Sequence, residues 1–395
     1  MLIRHPPATD AVLPVPDADA LASSQALARL IADEITSSGG WISFARFMEL
    51  AMYAPGQGYY AGGARKFGAA GDFVTAPELC AAFGQTLARQ AAQILSLSAP
   101  RVIEVGAGSG QLAVDVLLEL ESLQALPESY AILELSGELR ERQARTIAAR
   151  APQMVPRVRW LDRLPETFDG LLLANEVLDA MPACLVGWRA ADVVERGVGL
   201  NGDEFLWCER PAVGALRQRA LALAEECVIT PGYRSEIGLA AMAWVSEWAA
   251  RLGRGALLLI DYGFPRHEYY HPQRDGGTLM CHYRHHAHEQ PFYLPGLQDI
   301  TAHVDFTAII ESGSAGGLAL LGYTSQAAFL FNCGLTEVLA RTPADQPLRY
   351  LPLASAAQKL VSPAEMGELF KVMALGKGID QPLIGFISGD RSMTL

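Results

Sequence analysis

The spacing of hydrophobic positions changes several times along this chain. Over 21–50, in "LASSQALARLIADEIT" and "ISFARFMELAMY", apolar residues recur three and four apart, which predicts helices. Residues 54–78, "APGQGYYAGGARKFGAAGDFVTAPE", break that spacing with glycine and small residues and read as a long loop. Helix returns over 79–95. Short apolar runs then alternate with amphipathic stretches. Strands are predicted over 101–105, 130–135, 158–161, 170–175 and 255–263, and helices over 109–122 and 137–150. The strands are apolar throughout rather than at every second position, as a parallel sheet covered on both faces requires. Residues 184–209 read as an antiparallel meander around "NGD", and 236–252 as helix. Residues 264–303 are polar, aromatic and weakly periodic. "LFKVMALG" and "PLIGFIS" are late strand candidates.

The first alternating unit carries chemistry. "RVIEVGAGSGQLAVDVLLEL" joins strand, glycine loop and helix, the parts of a nucleotide cradle. Its glycines are Gly106, Gly108 and Gly110, and position 111 is Gln, so the dinucleotide spacing G-x-G-x-x-G is not met. Glu104 at the strand end would repel a pyrophosphate and suit an ammonium or sulfonium. Glycines still admit close backbone approach, and the helix N-terminus favours a carboxylate. An amino acid joined to a nucleoside satisfies all three demands, and that ligand is S-adenosylmethionine. Gly106, Ala107, Gly108 and Gly110 then line it. Glu134, closing the second strand with Leu135 beside it, takes the ribose hydroxyls. Asp162 accepts from the adenine amino group, with Leu161 against the ring.

The fourth strand ends in "LLLANEVLDAMP", which sets Asn175, Glu176 and Asp179 on the carboxyl rim where open α/β sheets bind ligands. Asn175 faces both the cofactor and the chemistry. Glu176 and Asp179 are the candidates to hold a methyl acceptor, because a carboxylate grips a guanidinium bidentately and turns one nitrogen toward the methyl. The same letters also spell a helix start capped by Asn175. Asp72 and Thr75, in "GDFVTAPE", are read as a loop closing over the cofactor, though Pro77 also marks an ordinary helix start.

Composition narrows the partners. The chain has 395 residues, 31 of them basic and 43 acidic, for a net charge of −12. That balance argues against a nucleic-acid grip and leaves open a basic protein or peptide partner, which it would attract. Six cysteines without a C-x-x-C pair indicate a reducing compartment. The N-terminus has no apolar signal core, and no apolar run approaches membrane-spanning length. The expected location is the cytoplasm, with no membrane association.

"GDFVTAPE", "EVGAGSG", "LELSGELRERQ", "ANEVLDAMP", "DYG" and "GTLMCHYRHHAH…PGLQDITAHVDF" together resemble the mitochondrial complex I assembly methyltransferases and their bacterial relatives. The likeness spans most of 30–385. It implies a class I, Rossmann-like α/β fold: a seven-stranded, mostly parallel sheet with a helical N-terminal part and insertions. It also implies arginine methylation of a complex I type subunit, with Glu176 as guanidinium ligand. On this reading 1–20 is a flexible tail and 21–95 a helical region with a cofactor-side loop. The methyltransferase domain is 96–395, with insertions at about 184–250 and 264–305. Two departures stand out: Gly137 where relatives carry proline, and Val177–Leu178 where they carry an aromatic pair.

Seven of the eight histidines lie between His267 and His303, the others being His271, His282, His285, His286 and His288. No H-E-x-x-H and no cysteine pair accompanies them, and methyl transfer needs no metal, so no metal site is expected. The segment reads as a lid or acceptor wall, in which His303 and Asp305 form a candidate acid/base pair. Competing functions are a small-molecule methyltransferase, an assembly chaperone that retains the cofactor pocket, and a nicotinamide oxidoreductase. The absent glycine and Glu104 argue against the last.

Overall fold

The computed structural model describes residues 13–62 and 75–395, which fall into two compact units. One gathers Thr75–Asp179, Ala241–Tyr269 and His303–Leu395. Its sheet uses β1 (Arg101–Val105), β2 (Ser129–Leu133), β3 (Val158–Leu161), β4 (Phe168–Asn175), β5 (Leu252–Phe264), β6 (Ala319–Ser325) and β7 (Phe370–Lys377). The strand order is β6-β7-β5-β4-β1-β2-β3. The five strands from β5 to β3 are parallel, and β7 runs antiparallel between β5 and β6. An eighth, two-residue strand, Val304–Asp305, pairs parallel with the end of β5.

Helices cover this sheet because its strands are apolar on both faces. Val102, Leu171, Leu173, Leu258 and Ala374 share one core with Leu112, Val116, Leu117 and Leu120 from the helix Gln111–Ser122 and with Leu87, Ala91 and Ile94 from the helix Ala82–Leu97. At about 25 cal/mol per Å² of apolar surface buried, each such leucine, isoleucine or valine side chain contributes about 2 kcal/mol. The order change between β1 and β4 opens the sheet's carboxyl rim there, and the glycine loop leaves β1 at that point.

The other unit gathers Met1–Val74, Ala180–Ala240 and Tyr270–Ala302. Its longest helix, Ala18–Ser37, starts on Asp17, whose carboxylate accepts the Ala20 N–H at 2.8 Å. The meander is an antiparallel five-stranded sheet in which Val193–Asn201 pairs with Cys184–Trp188, Glu204–Pro211 and Ile42–Ser43, and Arg234–Ile237 closes it. A three-stranded sheet is formed by Met280–Tyr283, His286–His288 and Asp299–Thr301.

Three expectations need correction. "PLIGFIS" is no strand: Ile384–Phe386 is a single 3-10 turn, in which the Gly385 N–H donates to Gln90 and a Cβ on Gly385 would lie 2.2 Å from the Phe329 ring. The sixth strand is instead Ala319–Ser325, which carries no run of β-branched residues. The helix expected over 236–252 begins at Leu239, after the strand Arg234–Ile237.

Candidate functional site

The glycine loop turns sharply off β1. Gly106, Gly108 and Gly110 all adopt left-handed φ values, of 65°, 54° and 84°. A Cβ on Gly110 would lie 3.0 Å from the Gln143 Cα, and one on Gly106 3.2 Å from Val177 Cγ2, so space as well as conformation demands glycine there. The Gly110 N–H closes on the Ala107 carbonyl at 2.8 Å, and the helix begins at Gln111. Glu104 sits beneath, 2% exposed, with its Oε2 accepting the Tyr130 hydroxyl at 2.7 Å. Burial pushes its carboxyl up to about 7; Tyr130 pulls it down and the Glu134 charge adds to the rise.

Gln143 organises the second strand end. Its side-chain amide donates to the Gly108 carbonyl at 3.1 Å and to Glu134 Oε2 at 3.0 Å, while its Oε1 accepts the Trp160 indole N–H. Glu134 Oε1 accepts the Ser136 N–H, and burial raises its carboxyl against these bonds. Arg140 donates to the carbonyls of Glu134 and Leu161 and to Asp162 Oδ1, tying the ends of β2 and β3 together. Asp162 and Leu135 face solvent. Neither Gln143 nor Arg140 was anticipated. The signal was present: Leu139, Gln143 and Ile147 follow at steps of four, so Gln143 lies on the helix's buried face.

At the end of β4 the chain makes a strained turn. Glu176 has φ +54°, and its N–H donates to the Ile260 carbonyl at 2.9 Å. Asp261, at the end of β5, explains the turn: its Oδ2 accepts the N–H groups of Val177, Leu178 and Asp179 at 3.2, 2.9 and 3.3 Å. The "NEVLD" letters therefore do not begin a helix; the turn is capped from another strand. Asn175 donates to Glu176 Oε1 at 3.0 Å. Burial pushes the Glu176 carboxyl up to about 8, and the Asp179 charge adds to the rise. Burial and the charges of Asp179 and Glu176 raise Asp261 further. Tyr262 donates its hydroxyl to Asp179.

The segment Thr75–Leu79 lies against the glycine loop. Thr75 precedes the short helix Ala76–Leu79, and Glu78 accepts the Ser109 hydroxyl of the glycine loop. Asp72 lies outside the described residues. Asp305 caps the helix Phe306–Ala315 and pairs with Arg266 at 3.7 Å, while His303 packs between the Tyr262 and Phe264 rings. Among the described residues, no group of three or more His, Cys, Asp or Glu side chains is placed to hold a metal.

A ligand cradle is visible in two features. The glycine loop leaves no room for side chains beside it, and the buried Asn175 Oδ1 meets no hydrogen-bond partner among the described residues. A buried acceptor of this kind is ordinarily satisfied by water or ligand.

Comparison with known proteins agrees. Residues 86–324 match the family described as "Putative S-adenosyl-L-methionine-dependent methyltransferase". A Burkholderia thailandensis protein crystallised with S-adenosyl-homocysteine superposes with a TM-score of 0.93 and 55% identity, over 97% of this chain and all of that one. The mouse mitochondrial protein arginine methyltransferase NDUFAF7 is 28% identical over 375 residues, 86% of this chain and 81% of its own length. The Drosophila melanogaster homologue is 27% identical over 420 residues, covering 94% of this chain and 91% of its own length.

Proposed function

The chain belongs to this family of S-adenosyl-L-methionine-dependent methyltransferases, and on that premise we propose that it methylates an arginine side chain of a protein. S-adenosylmethionine is its cofactor and supplies an already activated methyl group. The residues present fit that group. The loop Gly106–Ala107–Gly108–Gly110 would receive its amino-acid end. Glu134, Leu135, Leu161 and Asp162 would take the nucleoside, and Asn175 Oδ1 would fill its open acceptor position. Thr75 stands just before the helix Ala76–Leu79, whose Glu78 bonds the glycine loop, and would flank this set.

One observation carries the arginine reading. At the end of β4, Glu176 is held in a strained turn that carries Asp179 three residues on and is clamped by Asp261, so three acidic residues stand together at one strand end. A site of that charge selects a cation and rejects an anion. Glu176 binds and orients the guanidinium; its raised carboxyl means that the arriving cation displaces a proton from its Oε atoms near neutral pH. Asp179, held by Tyr262, is the second acceptor for the guanidinium N–H groups. The relatives named protein arginine methyltransferases support this choice. The resemblance to complex I assembly methyltransferases points, as acceptor, to a subunit of a complex I type assembly. We place the enzyme in the cytoplasm, acting without nucleic acid or membrane, a location consistent with six free cysteines.

The test is transfer of tritiated methyl from S-adenosylmethionine into an extract of a strain lacking this gene. Methylated arginine in the hydrolysate of a labelled protein supports the reading. Label in another residue or in a small molecule overturns the acceptor.

A further inference from the structure

Three carboxylates adjoin the glycine loop, and they are held differently. Glu104 lies behind it, 2% exposed, with Oε2 on the Tyr130 hydroxyl. Glu134 is joined to Gly108 through Gln143, and its two oxygens accept the Ser136 N–H and the Gln143 amide. The third is Glu78. Its carboxylate accepts the hydroxyl of Ser109, between Gly108 and Gly110, and Ser109 Oγ accepts the Gln111 N–H at 3.3 Å, at the first turn of the helix. Glu78 is half-buried, and among the described residues no ion pair neutralises it. Arg150, which reaches the same helix start, is engaged with Gln111 and Asp115. The short segment that carries Glu78 is fixed: the Glu78 N–H returns to the Thr75 carbonyl at 3.0 Å, and Ala76 and Pro77 are buried.

A negative charge at this point suits some ligands and not others. The helix start at Gln111, after left-handed glycines at 108 and 110, favours the carboxylate of the cofactor's amino-acid end. Glu78 stands one hydroxyl away from that helix start, and it would repel a ligand that brought a carboxylate alone. S-adenosylmethionine brings an ammonium on the same carbon as its carboxylate, so the two charges arrive together. We propose that Glu78 is the ligand of that ammonium group, and that Ser109 positions it. The loop and the helix start take the carboxylate, and Glu78 takes the neighbouring cation. Glu104 and Glu134 are less suited, being buried and already bonded at the ends of their strands. Glu78 is open enough to meet a ligand and has Ser109 as its one side-chain donor among the described residues. The inference rests on the cofactor assigned above and is independent of the acceptor.

The test is calorimetric titration of the wild type and of Glu78→Gln with three ligands. These are S-adenosyl-homocysteine, its deaminated analogue, and methylthioadenosine, which lacks the amino-acid end. Glu78→Gln should weaken S-adenosyl-homocysteine at least about tenfold, the effect of one hydrogen bond between charged groups. Methylthioadenosine should stay within about twofold. The deaminated analogue keeps the carboxylate without the ammonium, so it should bind the variant more tightly than the wild type. Glu78→Asp, which keeps the charge, should recover part of the loss. Ser109→Ala should give the same ranking of ligands with smaller changes. Equal weakening of all three ligands would overturn the proposal and leave Glu78 a support of the loop. Unchanged binding of S-adenosyl-homocysteine by Glu78→Gln would overturn it as well. Tighter binding would also overturn it, marking Glu78 as a competitor for the helix start. If the wild type binds none of the three, the cofactor assignment falls and the proposal with it.

Discussion

Tyr130 donates its hydroxyl to Glu104 at 2.7 Å inside the sheet, directly behind the glycine loop. A carboxyl at the end of β1 is thereby kept within reach of ionisation in a place where burial alone favours the neutral form.

Glu104→Gln should stabilise the fold at alkaline pH. The carboxyl is raised from 4.5 to about 7, so folding favours its protonated form. Its contribution is fully present below about 4.5 and is lost as pH rises through about 7. The ionised form then costs about 3 kcal/mol, which the glutamine variant escapes. Calorimetric melting at pH 5 and pH 8 should show a gain in Tm only at the higher pH. The same variant should bind S-adenosylmethionine more weakly.

Glu176→Gln should reduce transfer at least about a hundredfold, as for a group that orients the reacting atom, while cofactor Kd changes less than about twofold. In the native enzyme kcat/KM should fall as pH drops below about 8, where Glu176 takes up its proton. A flat profile from pH 6 to 9 would remove Glu176 from the acceptor site.

Gly110→Ala forces a side chain into a φ of 84° and to 3.0 Å from the Gln143 backbone. The expected cost is about 1–3 kcal/mol of stability. The Gln143 contacts to Gly108 and Glu134 should be lost with it, so cofactor affinity should fall more than tenfold by titration.

Asp261→Ala leaves the N–H groups of Val177, Leu178 and Asp179 without their shared acceptor. Turnover should drop by about two orders of magnitude, as Glu176 loses its fixed direction. Asp261→Asn, which retains one acceptor oxygen, should recover part of it. Circular dichroism before and after heating would show whether the sheet itself survives.

Most of the parallel half of the fold was legible, for a local reason. β1, β3 and the helix Gly137–Arg150 need only short, mostly apolar runs and a serine cap, and their bounds agree with the sequence pattern. The glycine loop was legible because three left-handed residues in five positions leave few alternatives to glycine. Ala319–Ser325 was missed because "ALLGYTS" becomes a strand through pairing with β7, a partner about fifty residues away in sequence.

For the site, the sequence by itself determined which acids stand at strand ends, since a parallel sheet brings all carboxyl ends to one rim whatever the connecting segments do. Tertiary structure alone decided what those acids do. Asp261 became a clamp on the Glu176 turn, and Gln143 became the hub between Gly108 and Glu134. Burial then moved Glu104 and Glu176 toward neutrality. A hydrogen-bond partner drawn from another strand, and the exclusion of water by distant side chains, leave no spacing that can be read along the chain.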